Sequence, residues 1–300
     1  MAAETQANAR GALYVVATPI GNLGDIGRRA LEVLAGADLI LAEDTRHSAK
    51  LLAHYGIGTA CRSFHEHNEQ RQIAALVDRI DAGERIALIS DAGTPLISDP
   101  GFPLVAALRA RGISVIPIPG PSAALGALCA AGLPTDRFCF EGFLPAAAGA
   151  RRRRLAELAG EPRTMIFYES PRRVRAALAD LAAALGGDRP AVLAREITKI
   201  HETFVDGTLD ALARWLDTHA EQQRGEFVVV VGGAPRQADA EREAAARETL
   251  RVLVEELPVK RAVAVAARLT GIKRNVLYRE ALALADAHGE ARRESSGDDA

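Results

Sequence analysis

The alternation of short Val- and Ile-rich runs with stretches of helical period narrows what this chain can fold into more than any other feature. Between Leu13 and Pro121 the runs Leu13 to Ala17, Leu39 to Ala42, Arg85 to Ser90 and Ser114 to Ile118 read as buried strands. The stretches Gly27 to Gly36, Thr45 to Tyr55, Glu69 to Ala82 and Pro103 to Arg111 space apolar residues three and four apart, as a helix with one buried face does. Strand and helix in turn predict a mainly parallel sheet covered on both faces, because parallel neighbours need crossover connections.

The rhythm changes after Leu133-Pro134-Thr135-Asp136. Runs at Phe138 to Phe143, Thr164 to Tyr168, Ala191 to Arg195 and Phe227 to Val231, with an antiparallel candidate over Glu202 to Thr208, predict a mixed sheet. Helices over Pro171 to Leu185 and Leu209 to Leu216 would cover it. Beyond Gly232-Gly233-Ala234-Pro235 there is no strand candidate, and Ala238 to Glu256, Val259 to Leu269 and Lys273 to Ala285 read as helices broken at Leu257-Pro258 and Gly271. The last two resemble a helix-turn-helix. The expected organisation is an α/β domain over 12–133, a second α/β domain over 134–235, a helical module over 236–288, and disordered ends over 1–11 and 289–300.

Charge and cysteine content exclude several classes. With 37 Lys and Arg against 39 Asp and Glu, the molecule as a whole attracts neither nucleic acid nor membrane, so a basic surface must be local. Cys61, Cys129 and Cys139 are an odd set without CxxC pairing, so neither a disulfide frame nor a structural zinc site is expected, and a reducing cytoplasm fits. Residues 1–11 lack an apolar centre and no apolar run has spanning length, which argues against secretion and membrane insertion.

Ligands of parallel sheets gather at the carboxyl ends of the strands, so the loops there carry the chemistry. The first is Thr18-Pro19-Ile20-Gly21-Asn22-Leu23-Gly24-Asp25. The second, Glu43-Asp44-Thr45-Arg46-His47, sets two carboxylates at a helix start; capping accounts for Asp44 or Thr45 and leaves Glu43 and Arg46 for an ion pair or a substrate. Phe64-His65-Glu66-His67-Asn68 holds two imidazoles but no evident third metal ligand, so no metal is expected. Ser90 to Gly101 is a long loop of small residues with two carboxylates, and Pro119-Gly120-Pro121-Ser122-Ala123 opens a helix with free backbone donors. Neither a phosphate loop nor a dinucleotide fingerprint is present.

Taken together, Thr18 to Asp25, Glu43 to Arg46, Phe64 to Asn68, Asp91-Ala92-Gly93-Thr94-Pro95 and Pro119 to Ser122 resemble the ribosomal RNA small subunit methyltransferase I family, a branch of the tetrapyrrole methylase superfamily. The resemblance runs from about Leu13 to Pro235 and on into the helical appendix. It implies a two-domain tetrapyrrole-methylase-like α/β fold with a C-terminal helical module, and S-adenosyl-L-methionine in the cleft between the α/β domains. It further implies methyl transfer to the ribose 2'-hydroxyl of a cytidine in 16S rRNA near the decoding centre, within the 30S subunit, by a homodimer. Gly93-Thr94-Pro95 takes the place of a cofactor-lining Gly-Asp-Pro, with Thr94 where relatives carry Asp and Asp91 as the candidate substitute. Ile97, Ser122, Ala123 and Pro19 follow as implied cofactor contacts, and Tyr168, Glu226 and Phe227 are those from the second domain.

A sulfonium already activates its methyl group, so the protein must supply in-line placement and help with the hydroxyl proton, and no metal is required. Candidates for that help are Asp25, Glu43, Asp44, His65, His67, Glu196 and Lys199, which sequence alone does not rank. For RNA the candidates are Arg46, Arg151 and Arg152 in the run to Arg154, Arg172 and Arg173 with Arg175, Lys260, Arg261, Lys273 and Arg274. One rival is a corrin or sirohaem methyltransferase, against which the helical appendix argues. Another is a regulator with a ligand-sensing α/β part and a DNA-binding helix-turn-helix, which predicts duplex binding without methyl transfer.

Overall fold

The computed structural model describes residues 11–235 and 237–281, and the chain divides into two compact units between Ala234 and Pro235. In the first unit β1 (Ala12–Val16), β2 (Leu39–Ala42), β3 (Cys61–Ser63), β4 (Arg85–Ile89) and β5 (Ser114–Ile118) form a parallel sheet in the order β3-β2-β4-β1-β5. Helices α1 (Arg28–Gly36) and α2 (Thr45–His54) bury Ala30, Leu34 and Leu52 against Ile40, Ala42, Ala87 and Ile89 on one face. Helices α3 (Glu69–Asp81) and α4 (Phe102–Ala110) bury Leu76, Ile80, Leu104 and Leu108 against Leu39, Leu41, Ile86 and Leu88 on the other. Alternate residues of β2 and β4 thus serve opposite cores, which is why these strands read as unbroken apolar runs. Strand β3 was not foreseen: Cys61-Arg62-Ser63 is a three-residue edge strand paired only to β2, with no apolar run to announce it.

The second sheet has the order β6-β7-β10-β8-β9, built from β6 (Phe138–Phe143), β7 (Thr164–Glu169), β8 (Pro190–Arg195), β9 (Thr203–Thr208) and β10 (Phe227–Val231). Only β6 and β7 pair in parallel, so the sheet is mixed as expected. Helices α6 (Ala148–Glu157), α7 (Val174–Leu185) and α8 (Leu209–Thr218) cover one face. The opposite face is covered by α5 (Ala123–Ala130), which belongs to the N-terminal half in sequence yet packs Ala124, Ala127 and Leu128 on Ile166, Val192 and Val230. This crossing carries the β5–α5 loop to the second sheet.

Two RNA-contact expectations are corrected, one on α6 and one at the start of α7. Arg151 is buried, its guanidinium 2.7 Å from Asp180 of α7 and 3.3 Å from the Ala146 carbonyl it donates to. Arg173 pairs with buried Glu169 at 3.2 Å and donates to the Leu144 carbonyl. Both guanidiniums are committed inside the second half, whereas Arg152 and Arg172 are exposed. Arg151→Ala would strand Asp180, and we expect about 3 kcal/mol of destabilisation, read as a lower urea midpoint; a neutral result would mean the pair is open to water.

The second unit contains α9 (Gln237–Glu256), α10 (Val259–Thr270) and a third helix, α11, over 274–281. Its core joins Ala246 and Leu250 with Val263, Ala266, Leu277 and Ala281, and Gly271 ends α10 in the left-handed conformation at φ +73°. The expected extension to Ala285 and the expected disorder at 1–10 and 289–300 lie outside the described residues, while Gly11 is buried beside β1. Among the described residues no helix is long and apolar enough to cross a membrane, no cluster of metal-ligating residues occurs, and the three cysteines are free thiols.

Candidate functional site

The carboxyl ends of the first sheet are stitched into one wall. Thr18 and Gly93 exchange backbone hydrogen bonds of 2.8 and 3.0 Å, joining the loops after β1 and β4. The Thr94 hydroxyl donates to the Pro121 carbonyl at 3.0 Å, which adds the loop after β5. The Asp44 N–H donates to Asp91 Oδ1 at 3.0 Å, which adds the loop after β2. Gly93 sits at φ +82°, and a Cβ there would crowd Ile20 at 3.3 Å. The same loop holds Leu96 at φ +73° and Ser98 at φ +69°, a conformation that costs free energy for residues with a Cβ and concentrates at functional segments.

The wall is acidic. Asp44 caps α2 by accepting from the Arg46 N–H at 2.8 Å, which holds its carboxyl below the usual range. Asp99, in the same loop as Ser98, is half-buried; burial pushes its pKa up to about 6 against the opposing Ser90 hydroxyl, with Asp91 adding to the rise. Glu43 is also raised, by burial first and then by Asp99, Asp91, Glu66 and Asp44. Sequence reasoning passed over Asp99. It counted two carboxylates in the β4 loop but chose Asp91, whose Oδ1 accepts the Asp44 N–H.

The second half supplies the facing wall. At the end of β7 the Tyr168 hydroxyl accepts from the Ala124 N–H at 3.1 Å, and burial raises its pKa. The rings of Phe140 and Phe143 lie 4.9 and 5.6 Å from that of Tyr168. Gly142 forms a bulge in β6 at φ +65°, where a Cβ would lie 3.3 Å from Ser98 Oγ, so the aromatic cluster adjoins the strained β4 loop.

After β8, Glu196 at φ +51° and Thr198 at φ +69° bend the chain back towards the β1 loop, and Thr198 Oγ1 accepts from the Asn22 N–H at 3.1 Å. The approach is so close that a Cβ on Gly21 would fall 2.4 Å from Lys199 Cγ. Lys199 Nζ lies 2.9 Å from Glu196 Oε1 and 3.1 Å from Glu226 Oε2. Burial lowers the Lys199 pKa, but the two carboxylates outweigh it and the net shift is upward. Burial likewise raises Glu196, and the bonds from Lys199 and the Glu226 N–H bring it below the usual range. Between the halves lies a cleft of about 300 Å³ whose lining includes Pro19, Gly21, His47, Asp91, Lys199 and Glu226.

The predicted residues therefore separate. Pro19, Asp91, Lys199 and Glu226 line the cleft, Gly93 and Thr94 continue the β4 loop beyond its lining residue Ala92, Ser122 and Tyr168 meet at the start of α5, and Ile97 is exposed in the β4 loop at 42%. Ala123 begins α5 beside them. Phe227 is a correction: at 2% exposure its ring belongs to the core beneath α6 to α8 and cannot face a ligand. Asp25 is exposed on a single 3-10 turn. His65 and His67 stack edge-on at 5.8 Å after the edge strand β3, where His65 Nδ1 is buried without a partner and His67 is exposed.

With this geometry in hand, likeness to known proteins is informative. The family described as Tetrapyrrole (Corrin/Porphyrin) Methylases matches residues 12–213, and that described as RsmI C-terminal HTH domain matches residues 240–294. A ribosomal RNA small subunit methyltransferase I of Pseudomonas aeruginosa is 54% identical over 275 residues, covering 91% of this chain and 97% of that protein. Its namesake from Escherichia coli O157:H7 is 50% identical over 92% of this chain and 96% of its own length. Among solved structures, a uroporphyrin-III C-methyltransferase of Thermus thermophilus complexed with S-adenosylhomocysteine superimposes with a TM-score of 0.51 at 20% identity, covering 74% of this chain and 97% of that one. A diphthine synthase gives 0.54 at 14% identity, covering 77% and 93%. These two likenesses concern the fold.

Proposed function

The chain belongs to the tetrapyrrole methylases, in their ribosomal RNA small subunit methyltransferase I family, and from this we propose that it transfers a methyl group from S-adenosyl-L-methionine to the ribose 2'-hydroxyl of a cytidine in 16S rRNA. The observation that carries the reading is the reach of the likeness. The Pseudomonas relative matches 91% of the chain, and the C-terminal helical unit has a family match of its own, whereas the uroporphyrin methyltransferase fold spans nearly its whole length on 74% of the chain. A macrocycle methylase accounts for the cleft but leaves the appendix without a use. A ligand-sensing regulator accounts for the appendix but not for a methylase family match over residues 12–213.

The cleft suits the cofactor. Asp91 in its lining, and Asp99 and Glu43, close enough for Asp91 to raise the pKa of both, offer carboxylates to a ligand that carries a sulfonium and an ammonium, and Gly93, next along the loop, leaves room that a Cβ would fill. Pro19, Gly93, Thr94, Ile97, Ser122, Ala123 and Tyr168 would hold it, with Asp99 in place of the carboxylate absent at position 94. When bound, S-adenosylmethionine supplies an activated methyl group, and everything else falls to the chain. Lys199, kept cationic by Glu196 and Glu226, stabilises negative charge growing on the ribose oxygen. Glu43, whose carboxyl is raised by burial and by its neighbouring carboxylates, takes the hydroxyl proton, while Asp99 is left to the cofactor. Arg46, Arg152 and Arg172, all exposed, are available to RNA phosphates.

We place the enzyme in the cytoplasm as a homodimer acting on the 30S subunit. The test is methyl transfer from labelled cofactor to 30S subunits from cells lacking the activity, followed by nucleoside mass spectrometry. A 2'-O-methylated cytidine is expected; duplex DNA binding without transfer would favour the regulator.

A further inference from the structure

The C-terminal unit separates its charges. Across residues 259–281 there are six basic side chains, Lys260, Arg261, Arg268, Lys273, Arg274 and Arg279, and one acidic one, Glu280, which pairs with Arg247 of α9 at 2.9 Å. In a chain of net charge -2 this is a local cationic surface.

The surface is not flat. Lys260, Val263 and Ala264 share one face of α10, Arg274, Asn275 and Tyr278 share one face of α11, and together they line a groove of about 450 Å³. Tyr278 is 45% exposed although it lies in the turn of helix that also carries core residue Leu277. The groove thus combines a small apolar floor, an accessible aromatic ring, an amide that can donate and accept, and two cations at its margin. Among the described residues, none that lines it is acidic.

We propose that this groove seats one unpaired nucleotide of the RNA, its base against the Tyr278 ring and its flanking phosphates on Lys260 and Arg274; this rests on the RNA methyltransferase reading above. The occupant follows from shape and charge. Duplex readout needs a convex helix entering a groove about 12 Å wide, and the A-form major groove is too narrow to admit one. A concave slot with a ring in its wall matches a splayed base, whose face stacks on aromatics whatever its identity. Asn275 can bond a base edge, and the basic margin supplies the attraction to a polyanion.

The test uses the full chain and fluorescence anisotropy with single-stranded oligocytidine, a fully paired RNA hairpin and duplex DNA. Tyr278→Ala should weaken oligocytidine binding about 5- to 150-fold, the range of one stacked base, while Tyr278→Phe retains it. Lys260→Ala with Arg274→Ala should flatten the slope of log affinity against log salt by about 1.4, from two phosphate contacts on a single strand. Calorimetric affinity for S-adenosylmethionine and the thermal midpoint should stay at wild-type values in each variant. Unchanged oligocytidine affinity in Tyr278→Ala, or tighter binding to duplex DNA through the same residues, would overturn the proposal. Its failure is distinct from failure of the functional reading. Wild-type protein that methylates 30S subunits, with an unchanged KM in Tyr278→Ala, removes the groove alone; protein that binds oligocytidine through Tyr278 yet methylates no ribosomal RNA removes the assigned reaction and leaves the groove.

Discussion

Replacing Lys199 by Met lowers kcat for methyl transfer by about 10²- to 10³-fold and leaves KM for S-adenosylmethionine within about threefold of wild type. Lys199 Nζ is held at 2.9 Å by Glu196 and at 3.1 Å by Glu226, so two of its three donors are engaged and a third remains on a side chain that lines the cleft. Its raised pKa keeps it charged at neutral pH, which suits it to stabilise an oxyanion and unsuits it to accept a proton. Charge on the ribose oxygen grows only as the oxygen attacks, so the loss belongs in the chemical step and should appear in single-turnover rates. Lys199→Arg keeps the charge but not the compact ammonium between two carboxylates, and it should recover only part of the rate. An unchanged single-turnover rate with a raised KM for RNA would make Lys199 a phosphate contact and refute the assigned role.

How much of this was readable in the sequence depended on whether burial or contact decided the residue. Strands β2 and β4 could be read because both of their faces are buried, and the loops that follow them could be picked out because parallel sheets gather ligands at one edge. Edge strand β3 escaped notice because Cys61-Arg62-Ser63 buries no apolar face of its own. Arg151 and Arg173 looked like surface charge because a basic run gives no sign of which residue points inward; their partners, Asp180 and the Leu144 carbonyl, are 29 residues away in sequence. Asp99 was missed for a related reason. Its raised pKa comes first from burial, which is set by how the β4 loop folds and not by any spacing along the chain. Phe227 erred in the opposite direction, since its motif position suggested a contact while strand alternation sends its ring into the core.

Asp99→Asn should weaken S-adenosylmethionine binding about 30-fold at pH 7.5, equivalent to about 2 kcal/mol for losing a half-buried carboxylate opposite a cation. The pH dependence is the sharper signature. In the free protein Asp99 titrates at about 6, and a bound cation favours its charged form, so binding near that pH must release a proton. If only the carboxylate form binds well, a pKa of about 6 makes affinity fall about tenfold between pH 7 and pH 5, and the Asn variant should be flat over this range. Calorimetry at pH 6 in buffers of different ionisation heat would detect the released proton in the wild type and none in the variant. Stability should move the other way. Because folding raises this carboxyl from its ordinary 3.8, its contribution to stability is fully present below that value and is lost as pH rises through about 6. Cofactor-free Asp99→Asn should therefore melt above the wild type at pH 7.5 and lose that advantage at pH 4, whereas saturating cofactor should raise the wild-type midpoint more than the variant's. A variant that bound the cofactor with wild-type affinity and pH dependence would remove Asp99 from the site and return the cation-binding role to Asp91 and Glu43.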